Sequence, residues 1–222
     1  TIDYKNLSIF DKLGTGCFAS VYRGIYRLKS STIASNGNNE TNESIQEIPV
    51  AIKKLNMENL DESRKEIEKE AELMRSLNNP FIIKFIGMCF NYQNSSIMIV
   101  LELAKLGPLH KYLRAHPEMN MFKIIKICYQ VSIAMSYLAE KKLIHRDLAA
   151  RNVLLVSEDI AKVSDFGLSR KMNEFNCYET QAHGKWPLKW YPPDATLGKF
   201  DEKSDVWSFG ITAWEATSYG AR

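Results

Sequence analysis

The 222-residue sequence has only four cysteines, Cys17, Cys89, Cys128 and Cys177, and no two of them form a CxxC pair. A structural zinc site or a disulfide framework needs paired thiols, so neither is expected, and the compartment reads as reducing and cytoplasmic. No apolar run is long enough to span a bilayer, so membrane insertion is not expected. Lys and Arg (29) exceed Asp and Glu (26) by a net charge of only +3, with no basic block. That balance gives no footprint for nucleic acid or an anionic membrane surface. No internal repeat is found. The chain lacks an initiator Met and a signal peptide, opening Thr1-Ile2-Asp3-Tyr4-Lys5. Such a start is expected of a piece of a longer protein. Four Asn-x-Ser/Thr sequons, at Asn6, Asn39, Asn42 and Asn94, are expected to be accidental in an Asn- and Ser-rich chain.

Hydrophobic residues make up 45% of the chain and charged residues 25%, an ordinary globular balance able to fill one large domain or two small lobes. Residues 7 to 28 read as a hairpin around Gly14-Thr15-Gly16-Cys17-Phe18-Ala19-Ser20-Val21. Ser30 to Glu47 is polar, without apolar period, and reads as a flexible inserted loop. Pro49 to Lys53 resumes a strand. Between Met57 and Leu77, residues Ile67, Ala71, Met74 and Leu77 recur at helical spacing, with Glu70 at the edge of their stripe. Phe81 to Phe90 and Ile97 to Leu103 read as buried strands. Beyond Gly107-Pro108-Leu109 the pattern is mainly helical. Phe122 to Lys141 places Ile124, Cys128, Val131, Met135 and Leu138 on one face. Val206 to Ala216 is apolar almost all round and reads as a central core helix. A β-rich half followed by an α-rich half predicts an α+β fold of two lobes with a cleft between them, at 1–104 (insert 30–47) and 105–222.

The chemistry-bearing residues cluster late in the sequence. Asp147 precedes Asn152 by five positions, and Asp165-Phe166-Gly167 follows thirteen residues after Asn152. Phosphoryl transfer from a nucleotide needs one carboxylate for the attacking hydroxyl, and a second carboxylate with a carboxamide oxygen to hold a metal against the phosphates. The glycines at 14 and 16 let backbone N–H groups approach phosphate oxygens. Dinucleotide-binding folds use a similar glycine run but require a helix directly after it, whereas Val21 to Tyr26 is β-rich.

In this order the motifs resemble those of the protein kinases, and Ala149-Ala150-Arg151 resembles the tyrosine kinases. Serine/threonine kinases usually carry a lysine where this chain has Ala149. Lys185-Trp186-Pro187-Leu188-Lys189-Trp190, with Gly107-Pro108-Leu109-His110-Lys111 and Tyr219-Gly220, is similar to the spleen tyrosine kinase family of non-receptor kinases. The resemblance implies a two-lobed protein-kinase fold with ATP and Mg²⁺ (or Mn²⁺) as cofactors. Asp147, Arg151 and Asn152 would be catalytic, with Asn152 and Asp165 on the metal. Leu13, Gly14, Gly16, Val21, Ala51, Lys53, Glu70, Glu102, Ala104 and Leu154 would bind ATP, and Leu101 would be the gatekeeper. Met74, Phe85, His145 and Phe166 would form the apolar spine. Partners would be tyrosine-containing protein substrates, with phosphotyrosine receptors reached through SH2 domains outside this chain.

Three departures stand out. Ala19 replaces the third glycine of the loop. Pro192-Pro193-Asp194 stands where kinases have Ala-Pro-Glu, and the shorter Asp194 is not expected to reach its usual arginine partner. Cys177-Tyr178 replaces paired tyrosines, leaving Tyr178 as the activation-segment phosphosite, with Arg146 and Arg170 as candidate cations. The helical lobe is expected to be incomplete, exposing Trp207 and Trp214 and leaving the activity of the fragment itself open.

Overall fold

Alternation in the N-terminal half becomes a sheet in the computed structural model, which describes residues 1–15, 19–33, 41–55, 60–91, 96–180 and 187–220. Strands β1 (Leu7–Thr15), β2 (Ala19–Ile33) and β3 (Thr41–Leu55) precede helix α1 (Leu60–Ser76), and β4 (Phe85–Asn91) and β5 (Ser96–Glu102) follow it. They form one antiparallel sheet in the order β1-β2-β3-β5-β4. Side chains alternate across a strand. Val50 and Ile52 of β3 and Met98 and Val100 of β5 therefore share a face, packed with Ile2, Leu7 and Cys89. Ile97 and Ile99 point the other way, onto Ile67 and Ala71 of α1 and Met88. Burying a side chain such as Ile52 or Ile99 contributes about 1.5–3 kcal/mol. The α1 stripe follows the helical spacing, with Ile67, Ala71 and Met74 all buried. Leu77 lies one residue past the helix end.

The expected flexible loop at 30–47 is corrected by the structure. β2 and β3 stay paired from Ala19↔Leu55 out to Ile33↔Thr41, so 30–33 and 41–47 are strand; residues 34–40 lie outside the described part. An antiparallel ladder needs only main-chain donors and acceptors. An exposed ribbon has no buried face to impose a period of two, and Ile45 is 58% exposed here. Polar composition thus hid a regular backbone.

After β5 come β6 (Gly107–Pro108), α2 (Leu109–Ala115), α3 (Met121–Glu140), β7 (Leu143–Ile144), β8 (Val153–Ser157), β9 (Ile160–Val163), β10 (Arg170–Lys171), β11 (Tyr178–Glu179), α4 (Pro193–Thr196), β12 (Lys199–Phe200) and α5 (Glu202–Thr217). Asn120 caps α3 by accepting from the Phe122 N–H, and Asp201 and Ser204 close a reciprocal capping box on α5. On α3, Ile124, Val131 and Leu138 are buried together with Ile127 and Ala134, while Cys128 and Met135 are half-buried. The helix α5 departs from the apolar core helix expected of it. Its buried residues are Ser204, Asp205, Ser208, Thr212, Glu215 and Ala216, while Val206 is 61% exposed; Trp207 (48%) and Trp214 (51%) are exposed as expected.

The chain divides into two units, Thr1–Arg75 with Lys84–Leu103, and Ser76–Ile83 with Ala104–Arg222. A single boundary after residue 104 therefore differs from this division at Ala104 and at 76–83. That segment is tied to the second unit by main-chain bonds from Ile83 N–H to the Val163 carbonyl (2.9 Å) and from Val163 N–H to the Phe81 carbonyl (2.8 Å). Asn78 N–H also donates to the Tyr137 hydroxyl at 2.9 Å. The strand expected from Phe81 accordingly begins only at Phe85.

Candidate active site

In the first unit, alternation on β3 decides where Lys53 goes. Ile52 enters the face lined by Leu7 and Cys89, so Lys53 emerges on the face covered by α1. Glu70 lies three residues from Ile67, on the buried side of α1 and only 6% exposed. The Lys53 ammonium donates to both Glu70 oxygens, at 2.7 and 2.8 Å. A cation so held is presented as a fixed charge, not as a mobile surface lysine. Val21 lies opposite both Gly14 and Lys53 in the ladders, and Ala51 lies opposite Leu101. Leu13 on β1 is 40% exposed. The Glu102 N–H donates to the Lys84 carbonyl (3.0 Å), and its carboxylate accepts from the Lys84 N–H (2.6 Å). Gly16 lies outside the described residues.

The second unit carries the other expected residues. Asn152 donates its amide N–H to the Asp147 carbonyl and to Asp147 Oδ2, both at 2.7 Å. Arg151 donates to Asp147 Oδ1. Asp147 is thus oriented at both oxygens. Burial pushes its carboxyl above the usual range, the neighbouring Asp165 charge adds to that, and Arg151 and the Asn152 amide oppose it. His145 Nε2 must carry a proton, because its partner at 3.1 Å is the Ser164 carbonyl; Nδ1 then accepts from the Asp147 N–H at 3.2 Å. Complete burial lowers the pKa of His145, so the ring is neutral and structural, stacked edge-on to Phe166 at 5.0 Å. Leu154 is half-buried on β8, and the Ala104 carbonyl accepts from the Gly107 N–H at 3.2 Å.

Two motif residues have left-handed backbone, Arg146 (φ 67°) and Asp165 (φ 65°). A non-glycine residue there costs about 1–3 kcal/mol and persists only where its surroundings hold it. For Arg146 the hold is visible. Buried Asp205 accepts from the His145 N–H (2.7 Å) and the Arg146 N–H (3.0 Å), and the Tyr191 hydroxyl donates to the Arg146 carbonyl (2.7 Å). Burial raises the Asp205 carboxyl, opposed by His145, by the two main-chain donors and by Arg146. Sequence reasoning missed Asp205, Tyr191 and Glu215. A carboxylate every few turns of an otherwise apolar helix was the available signal.

The Arg146 guanidinium lies over the rings of Tyr178 (4.8 Å) and Phe200 (4.3 Å), and one end donates to the Leu168 carbonyl at 3.2 Å. Its Nε is buried without a hydrogen-bond partner among the described residues. Arg170, the second expected cation, donates to the carbonyls of Gly167 (3.0 Å) and Ser169 (2.8 Å). Asp194 is exposed on α4 and makes no ion pair among the described residues.

A divalent cation fits the donor set. Asn152 spends its amide nitrogen on Asp147, which leaves Oδ1, a hard oxygen ligand, without a donor among the described residues. No cluster of three His, Cys, Asp or Glu side chains is found among the described residues. Mg²⁺ is commonly held in that way, by one or two protein oxygens completed by substrate phosphates and water. No helix among the described residues is long and apolar enough to cross a membrane.

Comparison with known proteins bears on this arrangement. The profile of the family described as protein tyrosine and serine/threonine kinase matches residues 7–222. Tyrosine-protein kinase SYK of Gallus gallus is 43% identical over 226 residues, covering 100% of this chain and 34% of that protein. Tyrosine-protein kinase ZAP-70 of Homo sapiens is 43% identical over 98% of this chain and 33% of its own length. Receptor tyrosine-protein kinase erbB-2 of Mesocricetus auratus is 37% identical over 95% of this chain and 16% of its own. The chain spans about a third of the length of the first two relatives. With the Asp147 carboxylate fixed at both oxygens, Lys53 paired with Glu70 and a profile match over nearly its whole length, the chain belongs to the protein tyrosine and serine/threonine kinase family.

Proposed function

We propose that this chain is the catalytic domain of a non-receptor protein-tyrosine kinase that transfers the γ-phosphoryl group of ATP to tyrosine hydroxyls in cytoplasmic signalling. The observation carrying this reading is the Asp147 carboxylate, held by Asn152 on one oxygen and Arg151 on the other. Asp147 orients the tyrosine hydroxyl and receives its proton as the bond to phosphorus forms. Its raised pKa brings it nearer the working pH, which suits a proton acceptor. Lys53, fixed by Glu70, neutralises the α- and β-phosphates, and the strand pair carrying Gly14 and Val21 covers them. Leu13, Ala51, Glu102, Ala104 and Leu154 serve the adenine. Asp165 and Asn152 Oδ1 would hold Mg²⁺ or Mn²⁺, which would supply positive charge against the phosphates. Arg151 favours tyrosine acceptors. Phosphotyrosine receptors engage SH2 domains outside this chain.

Tyr178 is the regulatory phosphosite. Phosphate there adds about −1.5 to −2 charges beside Arg146, whose Nε has a donor to give. The test of the whole reading is phosphoamino-acid analysis of a peptide array incubated with the full-length protein, ATP and Mg²⁺. Tyrosine alone should be labelled; labelled serine overturns the acceptor assignment, and no labelling overturns the activity.

A further inference from the structure

Glu215 is a buried carboxylate on α5 that none of the roles above uses. It is 4% exposed, and one oxygen, Oε2, accepts two hydrogen bonds. One comes from the Ala150 N–H at 2.8 Å, the other from the Trp190 indole Nε1–H at 2.9 Å. The first donor belongs to the residue before Arg151. The second belongs to the ring that covers the Arg151 guanidinium, at 4.6 Å from its centroid. Arg151 in turn donates to Asp147. The Trp190 carbonyl is itself pinned by the Ser208 hydroxyl of α5 at 2.8 Å.

We propose that Glu215 is a positioning residue for phosphoryl transfer, acting through Trp190 and Arg151 on Asp147. Burying a carboxylate is costly unless its oxygens are hydrogen-bonded, and here the donors come from two different segments. One atom therefore sets the distance between the loop carrying Asp147 and the turn Leu188–Trp190. Trp190 without its N–H anchor can rotate off the guanidinium. Arg151 then loses the aromatic face that orients it, a contact worth more when desolvated. The Leu188 side chain of the same turn is 59% exposed, so a polypeptide substrate touching that turn would press on the clamp directly. The clamp thus couples occupancy of the acceptor side to the orientation of Asp147, and leaves the nucleotide side untouched.

This inference rests on the kinase reading, and the experiment separates the two. The full chain is compared with Glu215→Gln, Trp190→Phe and the double variant. Gln retains an acceptor oxygen but loses the charge that strengthens both bonds. Phe retains a ring over Arg151 but loses the N–H. Each single variant should lower kcat on a tyrosine peptide about tenfold, with the ATP KM unchanged within about twofold. The double variant should be no worse than either single one, because both break one unit. Losses that multiply to about a hundredfold overturn the clamp, as does a parallel rise in ATP KM. A second arm needs no turnover. By NMR, exchange of the Trp190 indole proton should be slow in the wild type and fast in Glu215→Gln. Equal exchange overturns the proposal. If the wild type labels no tyrosine, the kinase reading fails while the exchange arm still decides the clamp.

Discussion

The two units hold their proposed site residues by different means. In the first, Lys53 and Glu70 meet because a strand alternates and a helix repeats, and the surrounding contacts are apolar. In the second, Asp147, Asn152 and Arg151 sit on irregular backbone with a left-handed residue beside them. That backbone is braced by buried polar groups, Asp205, Tyr191 and Glu215, in addition to the buried Ile144, Leu148 and Val153. Regular elements place a side chain by geometry common to all strands and helices. Irregular loops have unpaired main-chain groups, and each needs a specific partner when buried. The first arrangement tolerates exchange of apolar neighbours; the second depends on particular atoms.

The largest expected effect tests whether the second unit carries the chemistry. Asp147→Asn should lower turnover by at least about 10³-fold while nucleotide affinity, measured by calorimetry, stays within about twofold. Turnover near the wild-type rate would remove Asp147 from the mechanism. Next, stability should separate the two braces. Asp205→Ala strands two buried N–H groups and releases the left-handed Arg146, and should cost about 3 kcal/mol in urea unfolding. Glu70→Gln keeps an acceptor for Lys53 and should cost about 1 kcal/mol. Equal losses would erase the contrast.

A smaller effect is a shift in pH dependence. Arg151 favours the ionised form of Asp147, so Arg151→Ala should raise the Asp147 pKa further above the ordinary carboxylate range. The rate requires the ionised form, so the acidic limb of kcat/KM should move to higher pH. Asp165, Asn152 and the burial itself remain in the variant, and their sum keeps the direction upward. An unmoved limb would mean that Arg151 acts on the acceptor alone. Smallest of all, Tyr178→Phe should keep the basal rate and lose the several-fold stimulation that follows preincubation with ATP. Equal rates, with phosphate located on wild-type Tyr178 by mass spectrometry, would leave Arg146 as a structural cation only.

What could be read beforehand follows the same division. The α1 stripe, the β3 and β5 strands and the α3 face were legible because burial on one side writes a period into the sequence. The family was legible because its motifs stand in order along the chain. The paired strands at 30–33 and 41–47 were not, since an exposed ribbon is held by main-chain bonds that carry no residue code. The buried side of α5 was misread for the converse reason. Ser204, Asp205, Ser208 and Glu215 are polar, so a hydrophobicity pattern turns the helix the wrong way.

The sequence by itself determined the class of chemistry and the β-then-α order of elements, because periodicity and reactive groups are local properties. Only the tertiary structure decided that 76–83 joins the second unit, that Asp205 props Arg146 and that Glu215 reaches Trp190. Those contacts link residues far apart in the chain through single buried hydrogen bonds, and their partners exist only once the chain has folded.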